Sequence, residues 1–309
     1  YAGVGKSDWE IELGLENEIF SFNVESVPEL DVINSIASRM GKTANVCLRI
    51  NPDVDAHTHS HITTGKAENK FGIPKTEMFR VISHCKSLSN IRLLGLHFHI
   101  GSQIVDMEPF KELCENINDV QDELESKGIH LDIINVGGGL GIDYDNPDEH
   151  PIPDFKTYFS TFNDNLNVRS GQEIHFELGR ALVAQCGSLI TKVLYVKEGE
   201  LKKFAIVDGG MSELIRPALY GAYHKVENIS SNHRVRLTDE ALPSTEDSKY
   251  DVVGPICESS DTFVKDYTMP STCRGDLLAI RSAGAYGETM SSLYNCRPLP
   301  RSHSLSEMS

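Results

Sequence analysis

The stretch NIRLLGLHFHIGS, Asn90 to Ser102, opens on an apolar run and closes on two histidines, a glycine and a serine. A run of this texture reads as a β-strand. Its alternation puts His97 and His99 on the same side. The pattern repeats on both sides: IFSFNVES (19–26), ANVCLRINP (44–52), LDIINVGGG (131–139) and EIHFELGR (173–180). Each run ends in polar or glycine residues: Asn23 and Glu25, Arg49 and Asn51, Gly137 to Gly139, Glu177 and Arg180. Helical periodicity lies between them. Phe110, Leu113, Ile117, Val120 and Leu124 recur every three or four positions before Gly128, and Leu30, Ile33, Ile36 and Met40 do so earlier.

Strands alternating with helices predict right-handed βαβ units and a parallel sheet. Polar groups gathered at the ends of successive strands predict a (β/α)8 barrel, whereas a doubly wound sheet would concentrate them at one switch point. Five strands are read directly, and Tyr1–Gly3 is expected to end a sixth. The expectation is an α/β protein whose TIM-type barrel is N-terminally incomplete, with about six of eight units and about 60 residues lying upstream. After Arg180 the texture changes. Residues 186–208 read as a hairpin around a glycine-containing turn, and later runs such as YDVVGPIC are short and edged by Gly or Pro. The expected domains are a barrel at 1–180 and an all-β domain at 181–309, truncated at its end.

Composition narrows the function. The 309 residues carry a net charge of −16, which disfavours nucleic acid and anionic membrane surfaces as partners. The seven cysteines are widely spaced without a CxxC, which points to a reducing, cytoplasmic compartment. No run of about 18 apolar residues is present. No metal site is expected either. His57, His59 and His61 lie in a long polar segment that reads better as a substrate-covering loop.

Several motifs carry chemistry and leave alternatives open. Gly137, Gly138 and Gly139 let a backbone approach a phosphate, or simply make a tight strand-to-helix turn. Glu177 and Arg180 fit a protonated ring nitrogen and an anion, or a structural ion pair. His99 fits ring stacking, a metal or a satisfied core histidine. In GPICESSD (254–261), Cys257 fits a nucleophile, a metal ligand, an acid catalyst or a small hydrophobe.

Taken in order, YAGVGKS, FNVES, LRINPD, HFHIGSQ, NVGGGLG, FELGR, IRPALYGAYH, GPICESSD and GAYG resemble the diaminopimelate decarboxylase family. Its members are pyridoxal-phosphate enzymes sharing their fold with alanine racemase and ornithine decarboxylase. The resemblance spans residues 1 to about 298, and Leu178 stands where the family usually has proline. It implies decarboxylation of meso-2,6-diaminopimelate to L-lysine and CO2 with pyridoxal 5'-phosphate. By this resemblance His99 stacks on the cofactor ring and Glu177 faces the pyridine nitrogen. Ser102, Gly137, Gly138, Gly139, Gly179, Arg180 and Tyr286 hold the phosphate end. Arg180, Arg216, Tyr220, Tyr286 and Glu258 bind substrate. Cys257 protonates Cα and, with Glu258, serves the other subunit of a homodimer with shared sites.

The family's Schiff-base lysine motif has no counterpart here, and Lys6 belongs to a different strand motif. The chain is therefore expected to be a fragment without normal activity. Two alternatives remain: a sister decarboxylase of ornithine, arginine or carboxynorspermidine, and a non-catalytic homologue. Cys257-Glu258-Ser259, in place of the Cys-Asp of ornithine decarboxylases, favours diaminopimelate.

Overall fold

A computed structural model describes residues 1–52, 70–230 and 246–304. The histidines at 57, 59 and 61 lie outside the described residues. Two compact units are formed: Tyr1–Gly141 with Asp154–Leu178, and Ile142–Pro153 with Gly179–Ser309.

The first unit is built on one parallel sheet. Its strands are β1 (Phe22–Val24), β2 (Ala44–Asn51), β3 (Ile73–Pro74), β4 (Ile91–His97), β5 (Ile133–Asn135) and β6 (Glu173–His175). The order is β1-β2-β4-β5-β6, with the two-residue β3 beside the end of β2. Spatial order thus follows chain order without the reversal that defines a doubly wound sheet. The intervening helices are α2 (Val27–Arg39), α3 (Met78–Ser87), α4 (Glu108–Ser126) and α5 (Phe155–Asn165), with α1 (Asp8–Glu16) leading the chain. Tyr1 is not within a strand, but its amine donates to the Ser21 carbonyl and its carbonyl accepts from Asn23, the pairing of a parallel neighbour to β1.

Local chemistry explains these elements. The spacing in α4 buries Phe110, Leu113, Ile117, Val120 and Leu124 on one face, each worth roughly 1.5–3 kcal/mol of burial. Gly128, at φ 66°, turns the chain after the helix, where a Cβ would be strained. In α2, Leu30, Ile33 and Ile36 are buried, and the Ser26 side chain caps the amide of Glu29. Met40 falls just past the last turn. Ser7 and Glu10 form a capping box for α1. The turn between Gly3 and Lys6 is closed by Lys6 itself. Its buried Nζ donates to the carbonyls of Gly3 (2.8 Å) and Asn23 (2.6 Å) and to Glu29 (2.5 Å).

The second unit includes the short α6 (Arg180–Val183) and carries a mixed sheet. Its strands are β7 (Leu189–Glu198), β8 (Lys203–Val207), β9 (Val226–Asn228), β10 (Asp247–Val253), β11 (Thr262–Pro270) and β12 (Leu277–Ile280). Their order is β11-β10-β8-β7-β12-β9, and only the β10–β8 pair is parallel. β7 and β8 form the antiparallel hairpin expected from residues 186–208. Val193, Val207, Val252, Leu278 and Ile280 are among its buried core. The unit is not purely β: α7 (Arg216–Tyr220) ends at Gly221 in the left-handed region. Ile142–Pro153 joins this unit through Ile142 and Tyr144, which pack with Ala184 and Ala285.

Candidate active site

In the first unit, Glu177 follows β6 and meets residues of three other strands. Its Oε1 accepts from Asn23 (2.7 Å) in the middle of the three-residue β1 and from Asn135 (2.9 Å) at the end of β5. Its Oε2 lies 3.2 Å from His97 Nε2 at the end of β4. Burial works against the charge of Glu177, but contact with His97 and the two amide donors outweigh it and hold the carboxyl at about 2. Burial pushes His97 the other way, so the imidazole is neutral beside an ionised carboxylate. His97 is 1% exposed; its Nε2 faces Glu177, and its Nδ1 has no hydrogen-bond partner among the described residues. Beside it, Arg49 and Glu25 form a buried ion pair of 2.9 Å.

His99 stands two residues beyond His97 and is half-buried. Burial first, and Arg49 second, push its imidazolium down to about 3. The Gly138 amide donates to its Nδ1 (3.4 Å), so a neutral ring carries its proton on Nε2. The glycine turn is packed where side chains would not fit. A Cβ on Gly137 would lie 2.3 Å from the Phe98 carbonyl, one on Gly138 would lie 2.3 Å from the Glu177 carbonyl, and one on Gly139 would lie 2.7 Å from that of Gly101. Gly137 and Gly139 also have positive φ. Ser102 follows in the loop after β4 and is half-buried. An ionised carboxylate, a neutral imidazole and a side-chain-free turn at neighbouring strand ends fit a pyridinium ring carrying a phosphate.

The second unit gathers a different set. Arg180, at the start of α6, donates to the Tyr144 hydroxyl (2.5 Å), and its Cζ sits 4.9 Å from the Tyr286 ring centre. Arg216, at the start of α7, lies 4.8 Å from the Tyr144 ring centre and places Nη1 2.7 Å from His224 Nε2. Both arginines are buried. Arg216 forms no ion pair with a carboxylate among the described residues; burial lowers its pKa, with Tyr144 and Arg180 the next influences. Tyr220 closes α7 and is half-buried near Arg216. Gly179 caps α6 with open space where a Cβ would be.

Cys257 and Glu258 are exposed on the loop between β10 and β11. Asp261 organises that loop. Its carboxylate accepts from the amides of Met211 (2.6 Å) and Ile256 (2.7 Å), while its carbonyl accepts from Gly254 (3.0 Å). A Cβ on Gly254 would lie 2.3 Å from that carboxylate. The Tyr294 hydroxyl donates to Glu258 Oε1.

Sequence reasoning named His99, the glycines, Glu177, Arg216 and Cys257, but not Asn23 and Asn135 as partners of Glu177, nor His97 as its neighbour. Asn23 and Asn135 carried a signal, since both stand among the polar strand ends. His224 lies in the motif IRPALYGAYH, whereas Tyr144, in GIDYDNP, had neither periodicity nor motif to mark it.

Residues 1–184 match the family described as pyridoxal-dependent decarboxylase, pyridoxal binding domain. The chain is 59% identical over 308 residues to a diaminopimelate decarboxylase of Bacteroides thetaiotaomicron, covering 100% of this chain and 77% of that protein. It is similar to the crystal structure of diaminopimelate decarboxylase from Helicobacter pylori complexed with L-lysine, with a TM-score of 0.85 and 42% identity, over 96% of this chain and 71% of that one. A lysine/ornithine decarboxylase from Vibrio vulnificus shares the fold at a TM-score of 0.77 and 20% identity, over 97% of this chain and 73% of that one. With that coverage and identity, the chain belongs to the diaminopimelate decarboxylases, within the pyridoxal-dependent decarboxylases.

Proposed function

We propose that this protein removes CO2 from meso-2,6-diaminopimelate to give L-lysine, using pyridoxal 5'-phosphate. The observation that carries the reading is Glu177, ionised among Asn23, Asn135 and His97 beside the glycine turn. Bound pyridoxal phosphate supplies an electron sink for the bonding pair left on Cα when CO2 departs. Glu177 keeps a proton on the pyridine nitrogen, and neutral His99 offers a ring face without adding charge. The turn at Gly137, Gly138 and Gly139, with Ser102 and Gly179, brings backbone and hydroxyl donors to the phosphate, and Tyr286 and Arg180 assist there.

Arg216 and Tyr220 bind a substrate carboxylate, with Arg180 as a second cation for it. Glu258 receives the distal ammonium. Cys257 donates the proton that replaces CO2 on Cα, so one C–C bond breaks and one C–H bond forms. Cys257 and Glu258 act in the partner subunit's site of a homodimer. None of the seven cysteines is in a disulfide among the described residues, which suits a cytoplasmic location. No helix among the described residues is long and apolar enough to cross a membrane.

The test is CO2 release by the protein expressed from its whole reading frame, with pyridoxal phosphate, on meso-diaminopimelate, ornithine and arginine in parallel. Release from diaminopimelate alone is expected. Release from ornithine but not diaminopimelate would overturn the reading.

A further inference from the structure

Arg216 is 6% exposed, and its guanidinium has no carboxylate of its own among the described residues. Something else must fix its orientation, and the hydrogen bonds around His224 identify it. His224 is 0% exposed. Its Nδ1 lies 2.8 Å from the main-chain carbonyl of Arg281, and its Nε2 lies 2.7 Å from Arg216 Nη1. A carbonyl only accepts and a guanidinium only donates. The ring must therefore carry its proton on Nδ1 and a lone pair on Nε2, and it must be neutral. Tyr144 completes the clamp. Its ring meets His224 edge-on at 5.0 Å and lies 4.8 Å from Arg216 Cζ.

We propose that His224 is a positioning residue for substrate binding: its Nε2 lone pair holds the Arg216 guanidinium, against Tyr144, in the orientation that takes a substrate carboxylate. The proposal rests on the reading of Arg216 given above and deepens it. The ring works only while neutral. A proton on Nε2 would turn the acceptor into a donor facing a donor. Among the described residues, the charged and titratable groups around it are Arg216 from α7, Arg180 from α6 and Tyr144 from the 142–153 segment, and none is a carboxylic acid. Arg281, before the Gly284 turn, offers only its carbonyl there, its guanidinium being bound to Asp148 and Glu227.

The experiment compares His224→Phe, His224→Gln and Arg216→Met with wild type in the holoenzyme expressed from the whole reading frame. It measures kcat and KM for meso-diaminopimelate across pH, and the imidazole tautomer by nitrogen-15 NMR. Phenylalanine keeps the bulk and removes the acceptor. Glutamine supplies a donor and an acceptor but does not titrate. Loss of one buried hydrogen bond to a charged group is expected to raise KM about ten-fold or more in His224→Phe, with kcat changed only a few-fold. His224→Gln should recover most of that loss and flatten the acidic rise of KM. Wild-type His224 should show the Nδ1-protonated tautomer at neutral pH.

Normal KM in His224→Phe beside a raised KM in Arg216→Met would overturn the positioning role alone. Normal KM in Arg216→Met would overturn the substrate reading of Arg216, and the proposal with it. Should His224→Phe fail to fold, the tautomer and the glutamine variant decide. An Nε2-protonated or charged ring, or a glutamine variant whose KM rises with acid as wild type does, would overturn the proposal.

Discussion

Glu177 keeps its charge because its neighbours are donors, and the donors arrive from separate strands. Removing the carboxylate should weaken the cofactor's electron sink far more than the fold, since the side chain is 38% exposed. Glu177→Ala is expected to lower kcat by a hundred-fold or more, on the order of 3 kcal/mol of transition-state stabilisation, with a melting temperature near wild type. Near-normal turnover would show that Glu177 does not face the pyridine nitrogen. A second residue-scale consequence concerns acid. Burial holds His224 down at about 4, whereas an unfolded histidine titrates near 6.5. The unfolded chain then binds more protons than the folded one between those values, so stability rises with pH across that window. The part due to His224 is present above about 6.5 and is lost as pH falls towards 4, roughly 3 kcal/mol in all. Urea denaturation of wild type and His224→Gln at pH 4.5 and 7 should show a smaller acid loss in the variant. At this scale the sequence marked a residue wherever it belonged to a motif at a strand end, as with Glu177 and His99. It was silent on Tyr144, whose role depends on a helix start distant in the chain.

The glycine turn after β5 is an element whose shape excludes side chains. Gly138→Ala must displace the Glu177 carbonyl, because the added Cβ would lie 2.3 Å from it. The expected cost is about 1–3 kcal/mol, together with weaker retention of pyridoxal phosphate in dialysis. Gly179→Ala is the control. Its Cβ would meet nothing within 4 Å and its φ is −106°, so stability should stay within about 0.5 kcal/mol of wild type. Equal losses in the two variants would argue that the turn matters only through backbone entropy. The loop carrying Cys257 behaves similarly, being tied by Asp261 to the amides of Ile256 and Met211. Elements with strong periodicity, such as α4, could be read directly from Phe110 to Leu124. The loop at 254–261 could not, because its geometry comes from one carboxylate reaching back over glycines that carry no pattern of their own.

At the scale of the molecule, the barrel was legible because strand tips repeat one grammar, and a parallel sheet in chain order is what that grammar requires. What single strands cannot reveal is which residues act across a subunit boundary. If Cys257 serves a partner's site, mixed dimers will expose it. Glu177→Ala and Cys257→Ala chains, each inactive alone, should recover about a quarter of wild-type activity when mixed equally and re-associated. Half the dimers are then heterodimers of two-fold symmetry, each with one intact site. No recovery beyond the sum of the separate variants would place Cys257 and Glu177 in sites of one chain.

The segment Ile142–Pro153 leaves the first unit and returns to it at Asp154, while its own contacts are with the second. The two units are therefore tied by three crossings of the chain and not by one hinge. A protease cutting once near residue 180 would leave the first unit's residues on one fragment but would not release the second unit whole, since the fragment starting there would lack Tyr144, the ring that lies beside both Arg180 and Arg216. A gene fusion or recombination event that moves the β unit as a single cassette would strand that tyrosine in the same way. The unit can be inherited intact only together with the barrel that interrupts it.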